Sequence, residues 1–96
     1  MSDYTVEVSQ SVKLKLRDDA FTPKFMEEYR NNFSSFDDLS EHAEYFGWLV
    51  ASGRVDEVTK YSGKEQFIEG YGPIGQFVEL AEIVSTDTSV EAGDAP

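Results

Sequence analysis

The chain has 96 residues, of which 40% are hydrophobic and 14% aromatic, so it is long enough for one folded domain with a modest core. Its 19 acidic and 8 basic residues give a net charge of −11, which leaves few cations for phosphates and argues against direct binding to nucleic acid or an anionic membrane. It has no cysteine, which excludes disulfides, thiolate metal sites and thiol catalysis.

The N-terminal residues show no basic region followed by an apolar core, as a signal peptide would. No apolar run approaches the roughly 18 residues that a membrane helix needs. The lack of cysteine fits a cytosolic protein, although a chain without cysteine could function in any compartment. We therefore expect a soluble, cytoplasmic protein.

Residues 4 to 17 alternate between apolar and polar side chains, which is typical of a strand with one buried face. Apart from Gln10, that face consists of Tyr4, Val6, Val8, Val12, Leu14 and Leu16. A hairpin turning near Ser9 also fits, but the unbroken alternation and the lack of a turn sequence favour one long strand. Lys13, Lys15 and Arg17 on the other face argue against free pairing with other chains.

Two helices are predicted next. Thr22 as N-cap and Pro23 at the first helical position indicate a helix over 23–32. Ser35 as N-cap, with Asp38 three residues later as in a capping box, indicates a second helix over about 36–52 that Gly53 ends. Its apolar stripe consists of Leu39, Ala43, Phe46 and Val50. Trp48 lies about 100° from the centre of this stripe, so it is either a core-edge residue or an interface anchor.

The last third of the chain contains a second strand. Residues 58–61 and 66–68 could form a small hairpin around Ser62 and Gly63. Residues 77–86 (FVELAEIVST) read as a strand antiparallel to the first, and a slip in parity between Leu80 and Ile83 predicts a bulge. The acidic, small residues 87–96 predict a mobile tail, which leaves 1–86 as the single domain.

Residues 67–77, FIEGYGPIGQF, lack the glycine spacing of a dinucleotide-binding fingerprint. In one interpretation Gly70 and Gly72 supply positive φ in two turns, and the apolar side chains close the core. Those side chains are Phe67, Ile68, Tyr71 and Ile74. In the other, Glu69 and Tyr71 belong to an exposed contact surface, because loops often carry function.

His42 is the only histidine, and Glu41 and Glu44 do not share its helix face. We therefore expect no metal site, and a histidine that borders the core and hydrogen-bonds a neighbour. No phosphate loop, nucleophile motif or converging carboxylate pair is present, so we expect no enzymatic activity and no cofactor.

The acidic residues of the second helix are the best functional candidate. Carboxylates one helical turn apart lie about 5–6 Å from each other, the scale of successive phosphates on a nucleic acid. Such a helix could imitate a nucleic-acid backbone, or it could simply keep the protein soluble. The candidate partner-binding residues are Asp37, Asp38, Glu41, Glu44, Tyr45, Trp48, Glu69 and Tyr71, with Glu65 nearby.

The segments FTPKFMEEYRNNF, FDDLSEHAEYFGWL, FIEGYGP and FVELAEI occur in an order that resembles small acidic proteins encoded by bacteriophages and prophages. The resemblance covers about residues 12–84 and implies that residues 41–44 and 67–73 belong to the family's pattern. That family has no established activity. Small acidic phage proteins include inhibitors of host defence, anti-CRISPR proteins among them, which implies a role in the cytoplasm of a bacterial host.

Together these patterns predict an α+β fold. A long N-terminal strand is followed by two consecutive helices on one sheet face, then by a C-terminal strand antiparallel to the first. Since two strands alone are marginal, either the 58–68 hairpin joins the sheet or a homodimer extends it.

The predicted function is a non-enzymatic inhibitor of a basic, nucleic-acid-binding host protein, such as a CRISPR effector complex. One alternative is a homo-oligomeric structural accessory protein of a phage. A small enzyme or ligand-binding domain using His42, Glu69 and Tyr71 is the last hypothesis.

Overall fold

A computed structural model describes residues 1–92 and shows the expected α+β fold. Strand β1 is Tyr4–Leu16, helix α1 is Pro23–Asn32, helix α2 is Leu39–Ala51, strands β2 and β3 are Phe67–Ile68 and Gly72–Pro73, and strand β4 is Val78–Ala92. Single turns of 3₁₀-helix occur at Asp18–Ala20 and Ile74–Gln76. No helix within residues 1–92 has both the length and the apolar character needed to cross a membrane.

Strands β1 and β4 form an antiparallel two-stranded sheet, as predicted. The register shifts twice, which leaves Val84 and Glu79 of β4 as extra residues. The sequence predicted one bulge between these positions. The extra Glu79 puts Val78, Ala81 and Ile83 on the core side of the sheet, and the extra Val84 then puts Thr86, Thr88 and Val90 on that same face.

The C-terminal strand is longer than predicted. β4 continues to Ala92, where Asp87 pairs with Ser9 and Ala92 with Tyr4. The mobile tail predicted from Asp87 is therefore wrong for residues 87–92, because the long β1 supplies a partner strand and Thr88 and Val90 favour extended backbone. The rest of that predicted tail, 93–96, lies outside the described residues.

Helix α1 has the predicted bounds, and Thr22 Oγ1 accepts the N–H of Phe25 at 3.1 Å. Helix α2 begins later than predicted, since Asp38 and not Ser35 is its N-cap. The side chain of Asp38 accepts the N–H of Glu41, which makes it the better cap of the two because it carries negative charge at the helix N-terminus. Gly53, with φ 77°, ends the helix in a Schellman turn.

The core lies between α2 and the inner half of the sheet, and it is closed by α1 and the turn after β2. Its buried apolar residues are Phe21, Tyr29, Phe46, Leu49, Val50, Val58, Ile68, Tyr71, Ile74, Phe77, Val78 and Ala81. Much of it is aromatic: the Phe25 and Phe77 rings lie 4.7 Å apart, and those of Phe46 and Tyr71 lie 4.6 Å apart.

A small hairpin lies between α2 and β4, as the predicted fold class has it, but it is not formed by residues 58–68. Val58 alone bridges to Ala81, with both backbone hydrogen bonds at 2.9 Å, and the hairpin is formed instead by β2 and β3. The intervening loop is held by a side chain: Gln66 Oε1 accepts the N–H of Asp56 at 2.7 Å, and its Nε2 donates to the Asp56 and Gly63 carbonyls. The Gln66 side chain therefore satisfies backbone groups of Asp56 and Gly63 that would otherwise need another partner.

Half of the sheet extends beyond the core. The 13 residues of β1 rise roughly 43 Å, whereas the 13 residues of α2 rise about 20 Å, so the helix covers only half of the strand. Val12, Leu14 and Leu16 are half-buried, but Tyr4, Val6 and Val8 are 64%, 52% and 60% exposed. The predicted burial of the whole apolar face is thus wrong for its first half. We call residues 4–10 and 86–92 the ribbon.

Candidate functional site

The acidic N-terminus of α2 is an ordered hydrogen-bonded cluster. Asp38 Oδ1 accepts from the N–H of Glu41 at 3.1 Å and from Ser40 Oγ at 2.5 Å. Glu41 Oε1 in turn accepts from the N–H of Asp37 at 2.8 Å. The hydrogen bond from the Ser40 hydroxyl, with that from the Glu41 N–H, lowers the pKa of Asp38. Two of the predicted partner-binding carboxylates therefore also hold the helix end together.

Glu44 and Tyr45 lie one helical turn beyond Glu41, and Trp48 lies one turn beyond them on the same side of α2. Glu44 is exposed, and Trp48 is 52% exposed. The Trp48 ring stacks on Tyr45 with centroids 6.2 Å apart, and the Arg54 guanidinium lies 4.8 Å from the Trp48 ring centroid. This side of the helix thus combines carboxylates with accessible aromatic area.

A groove of 400 Å³ lies between α2 and the β1 side of the sheet. Its lining residues are Gln10, Val12, Leu14, Ala43, Glu44, Gly47, Trp48 and Ala51. Ala43, Gly47 and Ala51 are spaced by four residues and form a ridge of small side chains, which lets β1 approach closely. A Cβ on Gly47 would lie 3.7 Å from Leu14 Cδ1. Since the lining includes β1 but no β4 residue, the groove follows the β1 edge of the sheet.

Tyr71 is not on an exposed surface. It is 5% exposed, and its hydroxyl lies 2.6 Å from Nδ1 of the fully buried His42. Gly70 and Gly72, with φ 92° and 82°, turn the chain so that Ile68, Tyr71 and Ile74 point into the core. The core-closing interpretation of FIEGYGPIGQF is confirmed, except that Phe67 is 75% exposed. The prediction of Tyr71 as a contact residue is wrong.

His42 lies in an aromatic shell. The rings of Phe21, Phe36 and Tyr29 lie 5.1, 5.0 and 4.9 Å from the imidazole. Burial lowers the pKa of His42, against a smaller opposing effect of the Glu41 and Asp38 charges. Burial also raises the pKa of Tyr71. The expectation of a core histidine bonded to a neighbour is confirmed.

The buried pair is poorly placed for chemistry, because a substrate could reach it only if the aromatic shell opened. Within residues 1–92, no three His, Asp or Glu side chains are grouped so that they could hold a metal ion.

Glu69 is exposed on the turn between β2 and β3. Tyr71, two residues later, ties this turn to α2 through His42 and a ring contact of 6.3 Å with Tyr45. A Cβ on Gly70 would lie 2.9 Å from the Tyr29 ring, so the turn is also held closely against α1. Glu69 is thus presented from a fixed position, on a different element from the α2 carboxylates.

Comparisons of the chain with protein-family models, with curated proteins and with solved structures gave no match.

Sequence reasoning missed the apolar side of the ribbon as a functional surface. Tyr4, Val6, Val8 and Val90 are all more than half exposed on this projection. The signal was present in the predicted lengths, since a strand of about 14 residues is roughly twice as long as a helix of 13 to 17 residues.

Proposed function

We propose that this chain is a non-enzymatic acidic binding protein of a phage or mobile element, which inhibits a basic, nucleic-acid-binding host protein in the manner of an anti-CRISPR protein. The observation that carries the proposal is the uncompensated charge. The net charge is −11, and the ion pairs in the described part of the chain, from Arg17 and Lys64, both involve the same carboxylate, Glu79. A basic partner would be attracted to the remaining carboxylates.

The order of the α2 carboxylates supports this role. Hydrogen bonds hold the Asp38 and Glu41 side chains in the free protein, so these side chains lose less conformational entropy when a partner binds. The hydrogen bonds from Ser40 and the Glu41 N–H, which lower the pKa of Asp38, favour its charged form. Asp37, Glu44 and Glu69 are exposed and add negative charge around them, with Tyr45 and Trp48 as adjacent aromatic area.

The first experiment is affinity capture of the tagged protein from bacterial lysate at low and high salt, with mass spectrometry. We expect a nucleic-acid-binding protein that is released by salt and displaced by its own nucleic acid, because a mimic occupies the same basic surface. Recovery of no such protein, or of one that binds nucleic acid and this chain at once, contradicts the proposal.

With the captured partner, Glu44→Gln/Glu69→Gln should bind more weakly and with a shallower salt dependence, because two charges are removed from the proposed surface. Neither side chain caps a helix, unlike those of Asp38 and Glu41. The matched control is Glu27→Gln/Glu28→Gln, which makes the same charge change on α1, where both residues are exposed.

The control pair should bind nearly as the unchanged protein does. Equal weakening by both pairs would mean that total charge alone drives binding, and no weakening by either would remove the acidic surface from the contact.

One observation favours the alternative of a homo-oligomeric structural accessory protein: the apolar side of the ribbon is exposed. Large exposed apolar areas usually mark contacts with another chain. A protein that stays monomeric in sedimentation up to high concentration would remove this alternative.

A further inference from the structure

The outer edge of β1 is an open sheet edge. Within residues 1–92 the sheet contains only β1 and β4, so one edge of β1 has no strand against it over all 13 residues. The outer edge of β4 is partly occupied, since Val58 bridges to Ala81 and Glu57 Oε2 accepts the N–H of Ile83 at 2.8 Å. β1 also contains neither proline nor an extra residue, because both bulges lie in β4. This edge can therefore accept a further strand, but Lys13 and Lys15 on its polar face restrict pairing to a strand with compatible charges.

We propose that the outer edge of β1 pairs with β1 of a second copy, antiparallel, about a two-fold axis at Gln10. The strand is complementary to its own reverse. On the polar face Glu7 would face Lys13, Thr5 would face Lys15, and Ser9 would face Ser11; on the apolar face Tyr4 would face Leu16, Val6 would face Leu14, and Val8 would face Val12. The result is a four-stranded sheet in the order β4–β1–β1–β4.

This register is selected by Gln10, the polar residue within the apolar face of β1. On the axis it faces its own copy, and two amides can hydrogen-bond to each other. A shift of two residues places Gln10 against Val8 or Val12 and leaves strand ends unpaired. A shift of one residue turns every apolar side chain to the wrong face.

The groove beside α2 fits the same register. Val12 and Leu14 form its floor on the sheet, and Trp48 is part of its helix side. In the dimer the partner's Val8 and Val6 lie next to these two floor residues, at the open edge of the groove. In the dimer, residues 4–8 of one β1, which their own α2 does not cover, therefore lie beside residues 12–16 of the other β1, which the α2 of that copy does cover. Because the axis is perpendicular to the sheet, both helices lie on the same face.

Charge favours a second copy over a basic strand as the occupant. β1 carries one acid, Glu7, and two bases, Lys13 and Lys15, in a chain with a net charge of −11. A basic strand would meet like charges at both lysines. A second copy instead places Glu7 opposite Lys13 twice, once on each side of the axis, and opposite charges across strands stabilise pairing.

The dimer does not depend on the inhibitory role proposed above, and its tests change none of the carboxylates assigned to that role. It does give Trp48 a different use, at the junction between the copies. Glu44 lines the same groove as Trp48, so an outside partner would then be left the exposed carboxylates of Asp37 and Glu69.

The first test is a charge-reversal cycle in sedimentation velocity over a concentration series. Glu7→Lys and Lys13→Glu should each weaken the dimer by about tenfold or more, since each creates two like-charge pairs, and the double variant should restore it. If the total charge of the chain alone controlled self-association, the result would differ: Glu7→Lys reduces the net negative charge and would strengthen the dimer. A monomeric unchanged protein, or a double variant as weak as the singles, overturns the proposal. Circular dichroism confirms that each variant folds.

The second test uses the absence of cysteine from the chain. Gln10→Cys lies on the axis, where facing Cα atoms are about 4.5–5.5 Å apart, within the range for a disulfide. The matched control, Thr5→Cys, leaves the Glu7–Lys13 pairs intact and lies about 33 Å from its own copy in this register. Mild oxidation should cross-link the first variant and not the second. Equal cross-linking of both, or of neither, contradicts the register.

Discussion

At the scale of single residues, the pair of His42 and Tyr71 organises the centre of the fold. It joins α2 to the turn after β2 by one buried hydrogen bond of 2.6 Å. Nε2 of His42 is enclosed and bonds to no side chain or backbone group of the described residues, so no protein acceptor there would stabilise a second proton. Burial therefore favours the neutral form of His42 in the folded protein.

This arrangement predicts a pH dependence of stability. Burial lowers the pKa of His42 in the folded state, so the unfolded chain binds a proton more readily. The contribution of His42 is fully present above about pH 6.5, the ordinary histidine value, and is lost as the pH falls below it. The groups that face the imidazole are Tyr71 and Tyr29, with the charges of Glu41 and Asp38 nearby. Urea unfolding from pH 8 to 5 should show falling stability.

The control for this titration is His42→Gln, which keeps a polar side chain but cannot take up a proton. Its stability should change less between pH 8 and 5 than that of the unchanged protein. The carboxylate of Asp38, whose pKa is lowered, loses its contribution in a separate range below about pH 4. Parallel curves for the two proteins would show that His42 does not carry the effect.

At the scale of elements, the parts that were predicted correctly depend on local chemistry. Thr22 and Pro23 start α1 through their own side chains, so the sequence is sufficient to locate it. The start of α2 was misplaced because Ser35 and Asp38 are both acceptable caps. The conformation of the 58–68 loop could not be predicted, because the Gln66 side-chain amide hydrogen-bonds to the backbone N–H and carbonyl of Asp56, ten residues away.

The candidate site divides in the same way. Helical spacing placed Glu44 correctly on the solvent side of α2, because that is a property of one helix. It left Trp48 open between a core-edge residue and an interface anchor, and the indole is 52% exposed. Tyr71 was misassigned because its direction depends on the positive φ of Gly70 and Gly72, and on a contact with His42 that is 29 residues away in the chain.

The cap of α2 gives a prediction at this scale. Asp38→Ala should lower the unfolding midpoint by a few degrees, as loss of a helix cap does in domains of this size, because the N–H of Glu41 loses its acceptor. Asp37→Ala is the matched control: it removes the same charge from the adjacent residue, whose backbone N–H is what bonds to Glu41. Thermal unfolding of both variants at pH 7 measures the difference. Equal midpoints would mean that Asp38 acts only through its charge.

At the scale of the whole molecule, the mismatch between a long strand and a short helix connects fold and function. The ribbon is too long for its own α2, and its exposed apolar side chains lie where a second copy could cover them. The two proposed contacts should respond to salt in opposite ways. Binding of a basic partner weakens with salt, whereas self-association of two chains of net charge −11 is favoured when salt screens their repulsion.

Trp48, the only tryptophan, reports on the dimer directly. In the proposed register the partner's Val6 and Val8 lie beside the groove that Trp48 lines, so the indole is less hydrated in the dimer than in the monomer, where it is 52% exposed. Its emission maximum should therefore move to longer wavelength on dilution, and Lys13→Glu should show the longer wavelength already at high concentration. Trp48 stacks on Tyr45 of its own copy, so dissociation of the dimer should not change this contact. If sedimentation shows the dimer dissociating while the emission does not change, the copies meet elsewhere than beside this groove, and the β1 register is wrong.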